Sequence, residues 1–370
     1  YCAELPKYHT LVVKRNGKTH VSGNSVAEHA KASLGLEKVS RLFTSEIELA
    51  SQFLSITEYS QRYQKPERGD WYIIDHKDLK KPMDDAFNKL FDIFEKLIEL
   101  NLAEHIKSHK EKYRKEPTAK EKSAYEKLAF EDARYVLPLA MYSQLGISTN
   151  GRAWAEVLRN LGASTLKESV DVSIKAREEL QKVLPSLLRH SSLSAYQLNK
   201  ANALQDIKEE ISYYKSKTID DILFRPTISS SMSYRDILVT LIKTTSMAAY
   251  TDNLKIENTS IDRMSIEELE VMVMALVEGM SAHDMPPDSF KHIPFTIELS
   301  VSEANWHQLH RHNRKADFSF GLIHPENGVT IPVIAQQSED IYALYEEADS
   351  ISSELYDTIN TVLTLDGDDY

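Results

Sequence analysis

Thiol chemistry is almost absent from this chain of 370 residues, whose one cysteine is Cys2. An internal disulfide is excluded, and with it the staple on which small secreted folds depend. Long apolar runs are missing as well. The densest stretch, Val271–Val277, is short and flanked by Glu270 and Glu278, whereas a spanning helix needs about 18 apolar residues, which argues against a membrane protein. Positive charge is in deficit, with 44 Lys and Arg against 56 Asp and Glu and a formal charge of −12. A general nucleic-acid binder needs a basic face to neutralise phosphate, so that class is disfavoured. A small anionic ligand stays open, held by Arg and His gathered locally against the global field. The first residues, Tyr1-Cys2-Ala3-Glu4, show neither an initiating Met nor a basic-then-apolar leader. Residues upstream are therefore expected, and the lone cysteine without a leader points to a reducing, cytoplasmic home.

What is present suits a soluble fold: 42% hydrophobic and 27% charged residues are ordinary values. Single cores stop growing at about 250–300 residues, so two units are expected. Phe87, Leu90, Phe91, Phe94, Leu97 and Ile98 recur at spacings of three and four and predict a helix over 82–113. The charged stretch from His109 to Lys122, with Pro117, reads as a solvated connection. Helical spacing resumes near Tyr125, pauses at 146–151 and returns through Trp154, Val157, Leu158 and Leu161. Thr165-Leu166-Lys167-Glu168 has the form of a capping box opening a helix to Leu184. Periodicity is lost from Lys215 to Ser231, the expected seam. Beyond it, Tyr234–Ala249 reads as a helix, Ser265-Ile266-Glu267-Glu268 caps another, and 294–301 alternates with period two as a strand. A last helix over 338–363 runs into the acidic tail Asp366-Gly367-Asp368-Asp369, so the second unit is expected to be incomplete. The predicted boundaries are 1–218, a linker at 219–231, and 232–370.

Glu58-Tyr59-Ser60-Gln61-Arg62-Tyr63 sets a carboxylate, a hydroxyl and a guanidinium at alternate positions, on one side of an extended segment. Such an array suits a nucleotide: Glu58 and Ser60 pair with ribose or base edges, and Arg62 grips a phosphate through two parallel hydrogen bonds. It also suits the wet face of any strand. Downstream come Ala133-Arg134 with Leu137-Pro138, then Asn150-Gly151-Arg152, and much later Gln308-Leu309-His310-Arg311-His312. Together these resemble the flavin-dependent thymidylate synthases, whose signature runs Q-x-x-R-H-R, a spacer, E-x-S-x-R-Y, then A-R-x-x-L-P and N-x-R. The resemblance covers roughly residues 40–190, with Ser55, Glu58, Ser60, Arg62, Tyr63, Arg134, Asn150 and Arg152 in order.

The departures from the family pattern are complementary. The R-H-R positions of the first unit hold Ala50, Ser51 and Gln52, so its basic triplet is missing. The second unit keeps Gln308, Arg311 and His312 but has no E-x-S-x-R-Y after them, and either Asn313 replaces the last Arg or Arg314 takes its role. His307, His310 and His312 also admit a metal reading, although the family motif accounts better for Arg311 and His312.

The resemblance implies an α+β fold, here two tandem copies of a unit pairing a small, mostly antiparallel sheet with long helices. It implies FAD as cofactor, NADPH and methylene-tetrahydrofolate as co-substrates, dUMP as substrate, and a homo-oligomer that assembles the site from several subunits. Glu58, Ser60, Arg62 and Arg134 would hold the nucleotide, Arg62 and Arg134 being the catalytic candidates. Asn150, Arg152, Gln308, Arg311, His312 and Arg314 would face the flavin. The family uses no cysteine nucleophile, in keeping with a chain that has none near these motifs. Two functions follow: a flavoenzyme with a composite site shared between the units, or an inactive relative serving as a nucleotide-binding or oligomerisation module.

Overall fold

The computed structural model describes residues 10–15, 18–23, 26–59, 65–188, 191–193, 196, 198–199, 203, 227–249, 261, 263–281, 284–310, 316–318, 323 and 328–366. It opens on an antiparallel hairpin of Thr10–Arg15 (β1) and Lys18–Gly23 (β2), then one helical turn, Val26–His29 (α1). The principal sheet follows. Lys31–Ser40 (β3), Ser55–Glu58 (β4) and Tyr142–Asn150 (β5) form three antiparallel strands in the order β3-β5-β4.

Alternation along β5 explains which face is wet: Leu145 and Ile147 are buried while Gln144 and Ser148 are exposed. On the wet face, Ser33, Ser148 and Ser55 stand in one cross-strand row. The other face packs on Arg41–Leu49 (α2), Gly151–Gly162 (α5) and Lys167–Val183 (α6), with Phe43, Ile47, Trp154, Val157, Leu158, Leu161 and Leu180 in the core between them. A bulge at Lys38, whose φ is 55°, interrupts the register between Glu37 and Val39. The extra residue turns Val39 and Ser40 both inward and delivers the chain into α2, with Ser40 Oγ accepting from Phe43 N at 3.0 Å as its cap.

The helix expected over 82–113 is Lys80–Tyr113 (α3), and the spaced residues Phe87, Leu90, Phe91, Phe94 and Leu97 are all buried. It packs against Ala119–Ala133 (α4), which begins six residues before the expected Tyr125 because Thr118 and Glu121 form a capping box just after Pro117. The solvated connection is reduced to 114–118.

The capping box expected at Thr165 is corrected. Helix α6 starts at Lys167 after Leu166, with no side-chain cap, and the Glu168 carboxylate instead accepts from Ser40 N at 2.8 Å and from Ser40 Oγ. A buried partner 128 positions away outcompetes the local cap.

Two compact units divide the chain: 1–215 together with 302–370, and 216–301. The second holds Tyr234–Ala249 (α7) and Ile266–Val277 (α8) around Leu238, Ile242, Ile261 and Leu269, and α8 carries the expected Ser265–Glu268 capping box. Its strands are the three-residue pair Thr227–Ser229 (β6) and Thr296–Glu298 (β7). The strand expected over 294–301 is thus limited to the length its partner can match. Residues 219–226 of the expected linker lie outside the described residues. The chain then returns to the first unit with Glu303–Leu309 (α9) and Glu339–Asp366 (α10), and α10 adds Ile341, Leu344, Tyr345, Ala348 and Leu363 to the core of α3. The architecture is α+β, with small antiparallel sheets and many helices.

Candidate functional site

Helix α2 touches described residues of both motif segments. Its first residue, Arg41, is only 8% exposed. The Arg41 guanidinium pairs with Glu58 at the end of β4, whose side chain is 1% exposed, and Ser143 Oγ on β5 donates to the same Glu58 oxygen at 3.2 Å. The Glu58 carboxylate therefore sits inside the protein, on Arg41 and Ser143. Arg41 N donates to Met141 O at 3.0 Å, and Tyr59 N continues the β4–β5 ladder by donating to Gln144 O at 2.8 Å. Ser60 and Arg62 lie outside the described residues.

The segment carrying the second motif is fixed to α2 before Arg311 and to Gln52, three residues past α2, after Arg314. Before it, the His307 ring on α9 places Nε2 3.1 Å from Arg41 O and Nδ1 2.9 Å from Glu303 O. Burial, with the Arg41 charge adding to it, pushes the His307 imidazole below its ordinary pKa, and burial pushes the Glu303 carboxyl up. His310, fully buried, holds Nδ1 3.0 Å from Glu48 Oε2, itself on α2 and 5% exposed. After the motif, Gln52 Nε2 donates to Asp317 Oδ1 at 2.7 Å, and the Trp306 and Phe318 rings meet edge to face at 5.3 Å. Gln308 is half-buried on α9. Arg311, His312 and Arg314 lie outside the described residues, between these anchors.

Those anchors flank the positions where the first unit lost its basic triplet. Ala50 and Ser51 are buried, Ala50 O accepting from Asn160 Nδ2 at 2.8 Å and Ser51 Oγ donating to Glu156 Oε2 at 2.7 Å, both partners on α5. Gln52 alone of the three faces solvent. Beside it a cleft of about 510 Å³ is lined by Lys31, Ser33, Gln52, Phe53, Ser148 and Asn150.

Asn150 ends β5 and caps α5: its Oδ1 accepts from Arg152 N at 3.1 Å and Ala153 N at 2.9 Å. Arg152 is exposed and lies 3.3 Å from Glu28 Oε1. Arg134 is half-buried where α4 gives way to a single 3-10 turn, Arg134–Val136. The structure thus brings Gln52 and Asn150 to one end of β5 and Arg41, with the His307 that precedes Arg311–His312, to the other, and it turns the Glu58 carboxylate inward onto Arg41 and Ser143. Among the described residues no group of three His, Cys, Asp or Glu is arranged to hold a metal ion.

The strand that leads into Arg62, the helix turn at Arg134 and the strand-to-helix junction at Asn150 occur in one continuous domain. Residues 9–186 match the family of the thymidylate synthase complementing protein. This is the flavin-dependent thymidylate synthase family, and the match covers a little under half of the chain. A curated relative, the UPF0159 protein Ta1429 of Thermoplasma acidophilum, is 22% identical over 192 residues, 44% of this chain and 38% of the relative. The chain thus spans well under half the length of that relative. No described helix is long and apolar enough to cross a membrane.

Sequence reasoning missed Arg41, Glu48 and Asp317. Arg41 alone carried a local signal: a cation in the first turn of an amphipathic helix stands at the unfavourable end of the helix dipole, so it is kept there by some other partner.

Proposed function

We propose that this chain is a flavin-dependent thymidylate synthase-like enzyme, converting dUMP to dTMP at a site whose nucleotide half is Ser60, Arg62 and Arg134 and whose flavin half includes Arg311 and His312. The carrying observation is the docking of the second motif segment beside the vacated triplet, through His310 on Glu48 and Asp317 on Gln52. The complementary losses read from the sequence then make one set. Residues 232–370 are read as the remnant of a second copy whose motif segment is lent to the first unit.

The donor set at the cleft suits a cofactor with a planar ring, hydroxyls and phosphates: one ammonium, a row of hydroxyls, two amides and the ring of Phe53, 68% exposed. Reduced FAD supplies the hydride when bound, with methylene-tetrahydrofolate as carbon donor and NADPH as reductant. The chain's own task is to hold the uracil against the cofactor, exclude water, and stabilise charge on the pyrimidine ring through Arg62 and Arg134. A homo-oligomer in the cytoplasm completes this reading.

A second reading, an inactive nucleotide-binding or oligomerisation module, draws on the Glu58 carboxylate and the Asn150 amide oxygen, both engaged within the protein. The two separate cleanly in vitro. For the enzyme, purified protein carries or takes up near-stoichiometric flavin. Arg311→Ala then abolishes flavin uptake with dUMP binding retained, and Arg62→Ala weakens dUMP by about 2–3 kcal/mol in calorimetric titration, the loss of one charge-assisted contact. Colourless protein that binds neither added flavin nor dUMP sinks the enzyme reading.

A further inference from the structure

The Arg41–Glu58 pair raises a question that the resemblance leaves open. The motif glutamate was expected to face the nucleotide, yet its side chain is 1% exposed and lies against Arg41 and Ser143. We propose that Arg41 is a positioning residue: its guanidinium, through Glu58, sets the end of the nucleotide strand, while its carbonyl sets the helix that precedes the flavin motif. The proposal rests on the functional reading above.

Three observations carry it. Arg41 makes contacts in three directions, its N–H to Met141 O at the start of β5, its guanidinium to the last residue of β4, and its carbonyl to His307 on α9. Its location is also electrostatically costly. A buried cation at the first turn of α2 opposes the helix dipole and has lost its hydration, and such a charge is retained only when a partner compensates it. Glu58 is that partner, and it immediately precedes Tyr59, whose N–H is held by Gln144 O. Finally, the two halves of the Arg41 contact are chemically separable. The guanidinium makes its ion pair on the nucleotide side and acts on His307 through its charge alone, whereas the carbonyl that meets His307 persists in any side-chain variant.

This separability gives the test. Arg41→Met alone takes the guanidinium from the buried Glu58 carboxylate and is expected to lower the melting temperature. In the double variant Arg41→Met/Glu58→Gln no charge is stranded, so thermal stability returns to near that of the parent. Positioning is nevertheless lost. Hydrogen exchange at the Tyr59 amide accelerates, and dUMP affinity falls about tenfold or more, the scale of one charge-assisted contact. Flavin affinity, followed by fluorescence quenching, stays within about twofold because the Arg41 carbonyl still receives His307. His307→Leu is expected to show the reverse, weaker flavin with dUMP unchanged.

A double variant with parental Tyr59 protection overturns the proposal, as does parental dUMP affinity in a protein whose parent binds dUMP. If the parent binds no dUMP, the functional reading fails, and Tyr59 exchange still decides whether Arg41 sets the strand. A loss of flavin and dUMP binding together, with melting temperature restored, also overturns it, since that is the mark of a general structural role.

Discussion

Glu168 shows how a single side chain can be read as one thing from local sequence and be another in the fold. Three residues after Thr165 it has the place of a capping glutamate, but it crosses to the N-terminus of α2 and takes both polar groups of Ser40. Burial is the largest influence on its carboxyl and raises its pKa, with the Ser40 hydrogen bonds opposing. The sign follows: folding favours the protonated form, so the stability Glu168 contributes is full below its unfolded value of 4.5 and is lost as pH rises through its folded value. Glu168→Gln keeps an acceptor for Ser40 N–H and gains a donor for Ser40 Oγ without a charge to bury. Its melting temperature should match the parent near pH 4 and exceed it increasingly as pH is raised above about 4.5. Glu168→Ala strands the Ser40 N–H and should cost about 1–3 kcal/mol in chemical denaturation. Equal pH profiles for the parent and the Gln variant would refute the burial argument.

At the scale of elements, legibility tracked how local the cause was. The apolar face of α3 was visible because Phe87, Leu90, Phe91, Phe94 and Leu97 repeat within one helix, and the cap at Ser265 was visible because its partner is three residues on. By contrast, the contacts of Gln52 with Asp317 and of His307 with Arg41 join residues 265 and 266 positions apart. No periodicity encodes such pairs. Family resemblance found the motif residues around them, but it did not distinguish a side chain that meets a ligand from one that holds an element in place. Asn150 has both possibilities, since it caps α5 and lines the cleft. Asn150→Ala should destabilise by about 1 kcal/mol, while Asn150→Asp keeps a capping oxygen and should be near neutral in stability. If Asn150 also meets the flavin, the Asp variant will bind flavin more weakly despite its intact helix. Unchanged flavin affinity would assign the residue to capping alone.

For the whole molecule, the important arrangement is that the smaller unit, 216–301, is inserted in the sequence of the larger one. Helix α10 supplies Ile341, Leu344, Tyr345, Ala348 and Leu363 to the core around α3. Each large aliphatic side chain so buried is worth about 1.5–3 kcal/mol, against a total stability of about 5–15 kcal/mol for a typical domain. A fragment of residues 1–218 produced alone should therefore lack a cooperative melt and bind hydrophobic dye, and supplying 302–370 in trans should restore both. A cooperative transition for 1–218 near the parental temperature would instead support a self-sufficient first repeat.

The same insertion sets a timetable for synthesis. Helix α3 is complete at Tyr113, but the helix that covers it does not begin until Glu339. At about 5–20 residues per second a ribosome needs roughly 10–45 s to bridge that interval. Throughout it the Phe-rich face of α3 must be shielded by the earlier residues that pack on it, such as Trp71 and those of α4, or by a chaperone. Agents that bind exposed aromatic surface should capture nascent chains stalled between these points and release them once α10 has emerged.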